Sequence, residues 1–281
     1  MSDLLPNFLH IGPSKSGSTW LHEVLILHPE IYLSQAKDLY FFSRYYDRGP
    51  GWYRSQFRDV QKEHKIIGEF SPDYLACADA AERIRDCLGP GIRLMVTLRE
   101  PASRAFSAYL YLQKHGLAAP TFRQTALSRP DLLDHGRYAT NLRRYLSYFG
   151  RKSLLLSLFD DLEADPQAFL DGVTTWLGVA RRPVSPELLE ARLPASKARW
   201  LPLAVLAKQG ANVARRFDGA GLVGRLKRSP LVDRVLYQPL GDDRPTLSTE
   251  DVAFVREQLD GEIAWVESEF GIPLRSRWDW R

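Results

Sequence analysis

The stretch Phe8-Leu-His-Ile-Gly-Pro-Ser-Lys-Ser-Gly-Ser-Thr-Trp-Leu21 restricts what this chain can fold into more than any other segment. Residues 8–11 are an apolar run with the length of a buried strand. Residues 12–17 are rich in Gly, Pro and Ser, and residues 18–25 space their apolar side chains as a helix does. Strand, glycine-bounded loop and helix in that order aim backbone N–H groups at an anion, because the first N–H groups of a helix have no intrahelical acceptor. Lys15 adds a positive charge inside the loop, and Ser14, Ser16, Ser18 and Thr19 add hydroxyls. The ligand this predicts is a phosphate; the competing reading is a ligand-free Gly/Ser turn.

The loop is close to a Walker A motif and fails its test. Walker A places a lysine directly after the second glycine. Gly12 and Gly17 have the required separation, but Ser18 stands where that lysine belongs and the lysine lies inside the loop.

Further along, residues 31–34, 65–70, 92–98 and 153–159 read as strands. Segments 49–57, 75–88, 101–111, 139–149 and 166–177 read as helices, with Pro101 suited to a first helical turn. Alternating strands and helices predict an α/β fold with a central parallel sheet of four or five strands, flanked by helices in three P-loop-like layers. Ligands of such sheets bind beyond the carboxyl ends of the strands, where the loop, Glu69 and Arg99 all fall. Beyond residue 180 the strand signal fades. Pro183, Pro186 and Pro194 precede two helical segments, 201–217 and 248–270. The expected organisation is one domain over 1–281, with its core in 7–200 and a helical C-terminal part in 201–281.

At 281 residues, 44% hydrophobic and 26% charged, the chain has the composition of a globular protein with a sizeable core. A net charge of +4 suits anionic ligands and is too small to argue for nucleic acid. Cys77 and Cys87 form neither a C-x-x-C pair nor a disulfide framework, which fits a reducing compartment. The N-terminus has no basic leader and no apolar run reaches 18 residues, so a cytoplasmic location is expected.

A second phosphate signal is Arg99-x-Pro101-x-x-Arg104-x-x-Ser107-x-Tyr109. A guanidinium at a strand end, with Arg104 and Ser107 on one helical face, suits a phosphate monoester; an amphipathic helix with solvated arginines is the bland reading. Taken together, the two signals resemble the sulfotransferases that use 3′-phosphoadenosine 5′-phosphosulfate (PAPS), in the bacterial and heparan-type branches. Gly136-Arg137-Tyr138, Leu158-Phe-Asp-Asp-Leu162, Trp176-Leu-Gly178 and Ser196-Lys-Ala-Arg-Trp200 extend the similarity. The resemblance implies transfer of a sulfuryl group from PAPS to a hydroxyl or amine, leaving 3′,5′-adenosine bisphosphate (PAP), with no metal expected. It implies that Lys15 neutralises charge on the leaving group. Ser14, Ser16, Gly17, Ser18, Thr19 and Trp20 would hold the 5′-phosphate end, and Arg99 and Ser107 the 3′-phosphate. Lys197 and Arg199 would close the site.

Sulfuryl transfer to a hydroxyl needs a base. Family members acting on phenols place a histidine after the third strand, where this chain reads Gly68-Glu-Phe-Ser-Pro-Asp73. Heparan-type members use a glutamate before a hydrophobic-x-Phe-Phe run. Asp38 in Asp38-Leu-Tyr-Phe-Phe42 takes that position with one methylene less, and Glu69 is the rival. Phe70 stands where the heparan-type enzymes carry a lysine, which argues against transferring their substrate. Tyr40, Phe42, Trp52, Tyr53 and His115 are candidate acceptor-facing residues. Segment 208–228 carries six basic side chains against the single acid Asp218, a surface for an anionic glycan or a membrane. The acceptor is expected to be a small molecule, lipid or glycan, and oligomeric state is not legible. The alternatives are a P-loop phosphotransferase, disfavoured by Ser18, and a non-catalytic nucleotide-binding module.

Overall fold

The computed structural model describes residues 5–34, 36–190, 196–198, 237–239 and 245–280, with side chains of 190, 196–198 and 237–239 excepted. Five strands, β1 (Phe8–Gly12), β2 (Ile31–Leu33), β3 (Ile66–Phe70), β4 (Arg93–Leu98) and β5 (Leu154–Leu158), form one sheet in the order β2-β3-β1-β4-β5. All four pairings are parallel. The α/β prediction with a five-stranded parallel sheet therefore holds.

Parallel strands bury both faces, and β1 and β3 are buried at every residue. On one face Phe8, Phe70 and Met95 meet α1 (Ser18–Leu25) and α10 (Pro166–Leu177) through Leu21, Leu25, Leu170 and Val173. Each such side chain contributes about 1.5–3 kcal/mol by leaving water. Helix α10 begins at Pro166 behind Asp165, whose carboxylate accepts the Ala168 N–H at 2.9 Å, and ends at Gly178. Period-two alternation sends Leu9, Ile11 and Glu69 to the opposite face. Tyr145, on α8 (Tyr138–Tyr148), lies fully buried and donates its hydroxyl to the Tyr74 carbonyl at 2.9 Å.

One expected helix is shorter than its sequence signal. The 75–88 segment is helical only as α4 (Ala80–Leu88), because the Leu75 N–H is taken by the Ile11 carbonyl at 2.9 Å. That bond ties the chain to the end of β1 and delays the helix.

The chain divides into two compact units. The sheet unit comprises Met1–Arg99 with Asn141–Arg192, and the second comprises Glu100–Thr140 with Leu193–Arg281. In the second unit α5 (Pro101–Lys114) is capped by Glu100, whose carboxylate accepts the Ala102 and Ser103 N–H groups at 3.1 and 2.6 Å. The fully buried Arg104 donates from Nη2 to the Leu132 carbonyl. Thr140 binds Glu262 of the helix Thr249–Phe270 through its N–H at 2.8 Å and its hydroxyl at 2.7 Å. A short antiparallel pair joins β6 (Ser196–Ala198) to β7 (Tyr237–Pro239). The expected 201–217 helix and the basic 208–228 stretch lie outside the described residues.

Gly12 fixes the exit from β1. Its φ is 126°, and a Cβ there would lie 2.2 Å from the Pro72 carbonyl oxygen. Both the backbone conformation and the close approach exclude a side chain. Gly12→Ala is expected to destabilise the chain by about 3 kcal/mol, from strain plus overpacking. Thermal denaturation should show the midpoint lowered by roughly 6–12 °C.

Candidate functional site

The loop between β1 and α1 lies at the point where the sheet order reverses, with β3 on one side of β1 and β4 on the other. This is where open α/β sheets bind ligands. Lys15 adopts the left-handed conformation, φ 71°, and Gly17 follows at φ 81° as the residue preceding α1. That φ strains any side chain at position 17, and a Cβ there would also displace Leu162 Cδ2, 2.5 Å away. Gly17 offers no capping side chain, which leaves the first N–H groups of α1 for an anion. Ser16 is 1% exposed, and its Oγ has no hydrogen-bond partner among the described residues. A buried hydroxyl without a partner costs stability unless a ligand satisfies it. The loop's uncapped amides, lysine and orphaned hydroxyl fit the 5′-phosphosulfate end of a nucleotide.

Ser14, Lys15 and Thr19 are half-buried in this loop, and Ser18 is buried. Trp20 is not at the loop surface. Its indole donates from Nε1 to the Leu188 carbonyl at 2.8 Å and packs edge-on against Phe169, so it anchors α1 to the core.

Arg99 leaves the end of β4 and donates from Nη1 to the Lys15 carbonyl at 3.0 Å, with its guanidinium 4.4 Å above the Phe159 ring. It thereby joins the second phosphate signal to the first. Arg104, paired with Ser107 on sequence grounds, is instead a structural tie to Leu132. Ser107 is half-buried on α5 in the second unit. Lys197 lies in β6 with its side chain undescribed, and Arg199 lies outside the described residues.

The two candidate bases occupy different surroundings. Asp38 is half-buried, with its Oδ1 3.0 Å from Lys37 Nζ. Its φ is 67°, and its N–H donates to the Phe70 carbonyl at 2.9 Å. Glu69 is completely buried. Its Oε1 accepts the hydroxyls of Tyr53 at 3.0 Å and Tyr74 at 2.8 Å, and its Oε2 accepts that of Ser71 at 3.3 Å. Burial pushes the Glu69 carboxyl up from 4.5 to about 7; the three hydroxyls pull it down and the Asp38 charge adds a further push upward.

Of the expected acceptor-facing residues, Tyr40 and Trp52 are half-buried, beneath the guanidiniums of Arg44 at 4.3 Å and Arg48 at 4.2 Å. Phe42 and Tyr53 are fully buried in one aromatic cluster, their rings 5.0 Å apart, and belong to the core. His115 is buried against Tyr111 at 4.5 Å. The hydroxyls of Ser71 and Tyr74 escaped the sequence reading, although Ser71-Pro-Asp-Tyr74 directly follows Glu69. Serine and tyrosine at a strand end carry no signal of their own until a buried carboxylate stands beside them.

A parallel sheet that sets a glycine-bounded, lysine-bearing loop at its switch point, with a carboxylate on a neighbouring strained loop, is a P-loop-like α/β fold. The family described as "Sulfotransferase domain" matches residues 5–201, and the chain belongs to this sulfotransferase family. Human heparan sulfate glucosamine 3-O-sulfotransferase 6 is 30% identical over 184 residues, covering 63% of this chain and 53% of that protein. Human bifunctional heparan sulfate N-deacetylase/N-sulfotransferase 3 is 31% identical over 202 residues, covering 63% of this chain and 23% of that one. The chain thus spans about half or less of the curated relatives it matches. A sulfotransferase from Alicyclobacillus acidocaldarius of known structure superimposes with a TM-score of 0.59 at 25% identity, over 82% of this chain and 99% of that one.

Glu69 and His10 make opposed contributions to stability against pH. The folded chain keeps the Glu69 proton between pH 4.5 and about 7, where the unfolded chain has released it, so this contribution falls as pH rises. His10 is completely buried; burial, with the Lys37 charge second, lowers it from 6.5 to about 3. Here the unfolded chain holds the extra proton, and stability rises with pH from about 3 to 6.5. The two slopes cancel where the windows overlap. Measured by urea denaturation, Glu69→Gln minus wild type should rise with pH by about 1.4 kcal/mol per unit. The rise should be confined to the window from 4.5 to about 7.

Proposed function

We propose that this sulfotransferase takes its sulfuryl group from PAPS and transfers it to a hydroxyl or amine of a glycan, glycolipid or small natural product. The observation that carries the reading is the loop itself: a left-handed Lys15, a Ser16 hydroxyl without a partner among the described residues and an α1 with no side-chain cap, within the matched sulfotransferase domain. PAPS supplies an activated sulfur–oxygen bond to its 5′-phosphate. In the reaction that bond breaks, a bond forms from sulfur to the acceptor oxygen or nitrogen, and the acceptor loses a proton.

The chain's residues supply electrostatics and position. Lys15 compensates the negative charge that grows on the bridging oxygen, and the α1 amides with Ser16, Ser18 and Thr19 hold the 5′-phosphate. The Arg99 guanidinium presents five N–H donors in a planar fork. One donor steadies the Lys15 carbonyl, and the fork's other edge is assigned to the 3′-phosphate. Asp38 accepts the acceptor's proton. Glu69 is the weaker candidate base, because it is wholly buried and three hydroxyls already bind its oxygens. The heparan sulfate activity named for the relatives supports a saccharide acceptor.

Calorimetric titration with PAP, 5′-AMP and ATP, each with and without magnesium, tests the cofactor assignment. Metal-independent binding of PAP, with 5′-AMP weaker by about tenfold or more, is expected if a guanidinium reads the 3′-phosphate. Magnesium-dependent binding of ATP without preference for PAP would overturn it in favour of a phosphotransferase.

Turnover of radiolabelled PAPS over heparosan oligosaccharide, a glucosamine glycoside and 4-nitrophenol tests the chemistry. Lys15→Ala should lower kcat by about a thousandfold or more, and Arg99→Ala should chiefly weaken PAP binding. Asp38→Asn should remove turnover while leaving the thermal midpoint and PAP affinity in place. Normal turnover in Asp38→Asn would reject Asp38 as the base.

A further inference from the structure

The segment carrying Asp38 is held in a conformation that its own sequence does not favour. Asp38 at φ 67° and Tyr40 at φ 55° are both left-handed, and neither is glycine. Such residues persist only where the surroundings over-determine them. Here the surroundings are the residues that follow β3. The N–H of Asp38 donates to the Phe70 carbonyl at 2.9 Å. The N–H of Tyr40 donates to Ser71 Oγ at 3.0 Å, and that of Phe42 donates to Tyr74 Oη at 3.3 Å. Every second amide of the segment is therefore gripped, one by a backbone oxygen and two by hydroxyls.

A hydroxyl can rotate away from an amide unless something fixes its hydrogen. Glu69 does this for both. Ser71 donates to its Oε2 at 3.3 Å and Tyr74 to its Oε1 at 2.8 Å. An ionised carboxylate only accepts, so both hydrogens turn toward it and the hydroxyl lone pairs are left facing the amides of Tyr40 and Phe42. Tyr53 also donates to Oε1, at 3.0 Å, but its ring stacks on Phe41 within the core.

We propose that Ser71 and Tyr74, oriented by the buried Glu69, are positioning residues that hold the Asp38 carboxylate in its working place. The inference rests on the reading of Asp38 as the base. It gives Glu69 a role other than proton abstraction: the glutamate organises two hydroxyls, and the hydroxyls organise the loop.

The test compares Ser71→Ala, Tyr74→Phe and Tyr53→Phe, with Asp38→Asn alongside. Each of the first three removes one hydroxyl from Glu69, so a merely structural role treats them alike. Three readouts apply at about pH 8, where the carboxylate is ionised. They are hydrogen exchange of the peptide spanning 37–45, calorimetric affinity for PAP, and single-turnover hydrolysis of PAPS. In the last, water is the acceptor, its proton passes to Asp38, and sulfate and PAP leave.

Ser71→Ala and Tyr74→Phe should speed exchange of the segment and slow hydrolysis by about 10- to 100-fold, the range expected for a misplaced catalytic group. PAP affinity should stay within about threefold, and Tyr53→Phe should stay within about threefold on all three readouts. Hydrolysis and exchange near wild type in both Ser71→Ala and Tyr74→Phe would overturn the proposal, as would Tyr53→Phe matching them. Should Ser71→Ala fail to fold, Tyr74→Phe keeps the ring and carries the test alone. Wild-type hydrolysis in Asp38→Asn removes the base assignment and with it the catalytic half of the proposal. The exchange data then decide by themselves whether the hydroxyls hold the loop.

Discussion

The site depends first on the pairing of β1 with two parallel neighbours at once. His10 lies opposite Phe70 of β3 and Met95 of β4, so the ends of three strands arrive together. From those ends leave the Lys15 loop, the Ser71–Tyr74 turn and Arg99. Three sequence-distant segments become neighbours because the strands have a common direction and register. The close approach of Gly12 to the Pro72 carbonyl tightens this arrangement, since two backbones meet where a single Cβ would part them. The hydrogen bond from Arg99 to the Lys15 carbonyl makes the same connection from the β4 side.

Strain accumulates around this junction. Among the described residues, four other than glycine have positive φ, and three of them are Lys15, Asp38 and Tyr40. Each left-handed residue costs about 1–2 kcal/mol relative to ordinary backbone, so the sum is comparable to a sizeable part of a domain's net stability. The offset comes from the buried hydrogen bonds that hold these residues and from the apolar layer beneath them. Phe8, Leu21 and Leu25 pack α1 against the sheet, and Trp20 pins α1 through Leu188. A side chain that the sequence reading assigned to the ligand thus holds α1 in place.

Much of the fold was legible because its signals are local. Apolar runs at 8–11, 65–70, 92–98 and 153–159 needed no partner to be recognised as strands, and Pro166 with Gly178 marked both ends of α10. The strand–loop–helix arrangement over residues 8–25 was legible for the same reason. What escaped depends on tertiary context. Leu75 reads as helical until the Ile11 carbonyl captures its amide. Phe42 and Tyr53 read as acceptor-facing aromatics, but an aromatic run carries no mark of which side it faces, and both are core. Arg104 was paired with Ser107 on helical spacing, which cannot reveal that a carbonyl on a neighbouring segment takes its guanidinium. The grouping of Glu100–Thr140 with the C-terminal part is likewise a matter of contacts that join distant stretches of sequence.

The two carboxylates near the strand ends illustrate how environment divides labour between similar groups. Glu69 has no exposure and three hydroxyl donors, so a proton arriving on it would displace hydrogen bonds that already satisfy its oxygens. Its substitution by an apolar residue would leave three buried hydroxyls without an acceptor, a loss of about 1–3 kcal/mol for each one stranded. Asp38 is half-buried, pairs with a lysine at the rim, and sits on a backbone gripped at alternate amides. In the proposed reaction the group that handles the proton is the one with access to the surface, and the group with no access fixes its geometry. In that reaction an aspartate has one methylene less of reach than a glutamate, so the backbone bonds that place Asp38 decide whether its carboxylate meets the acceptor.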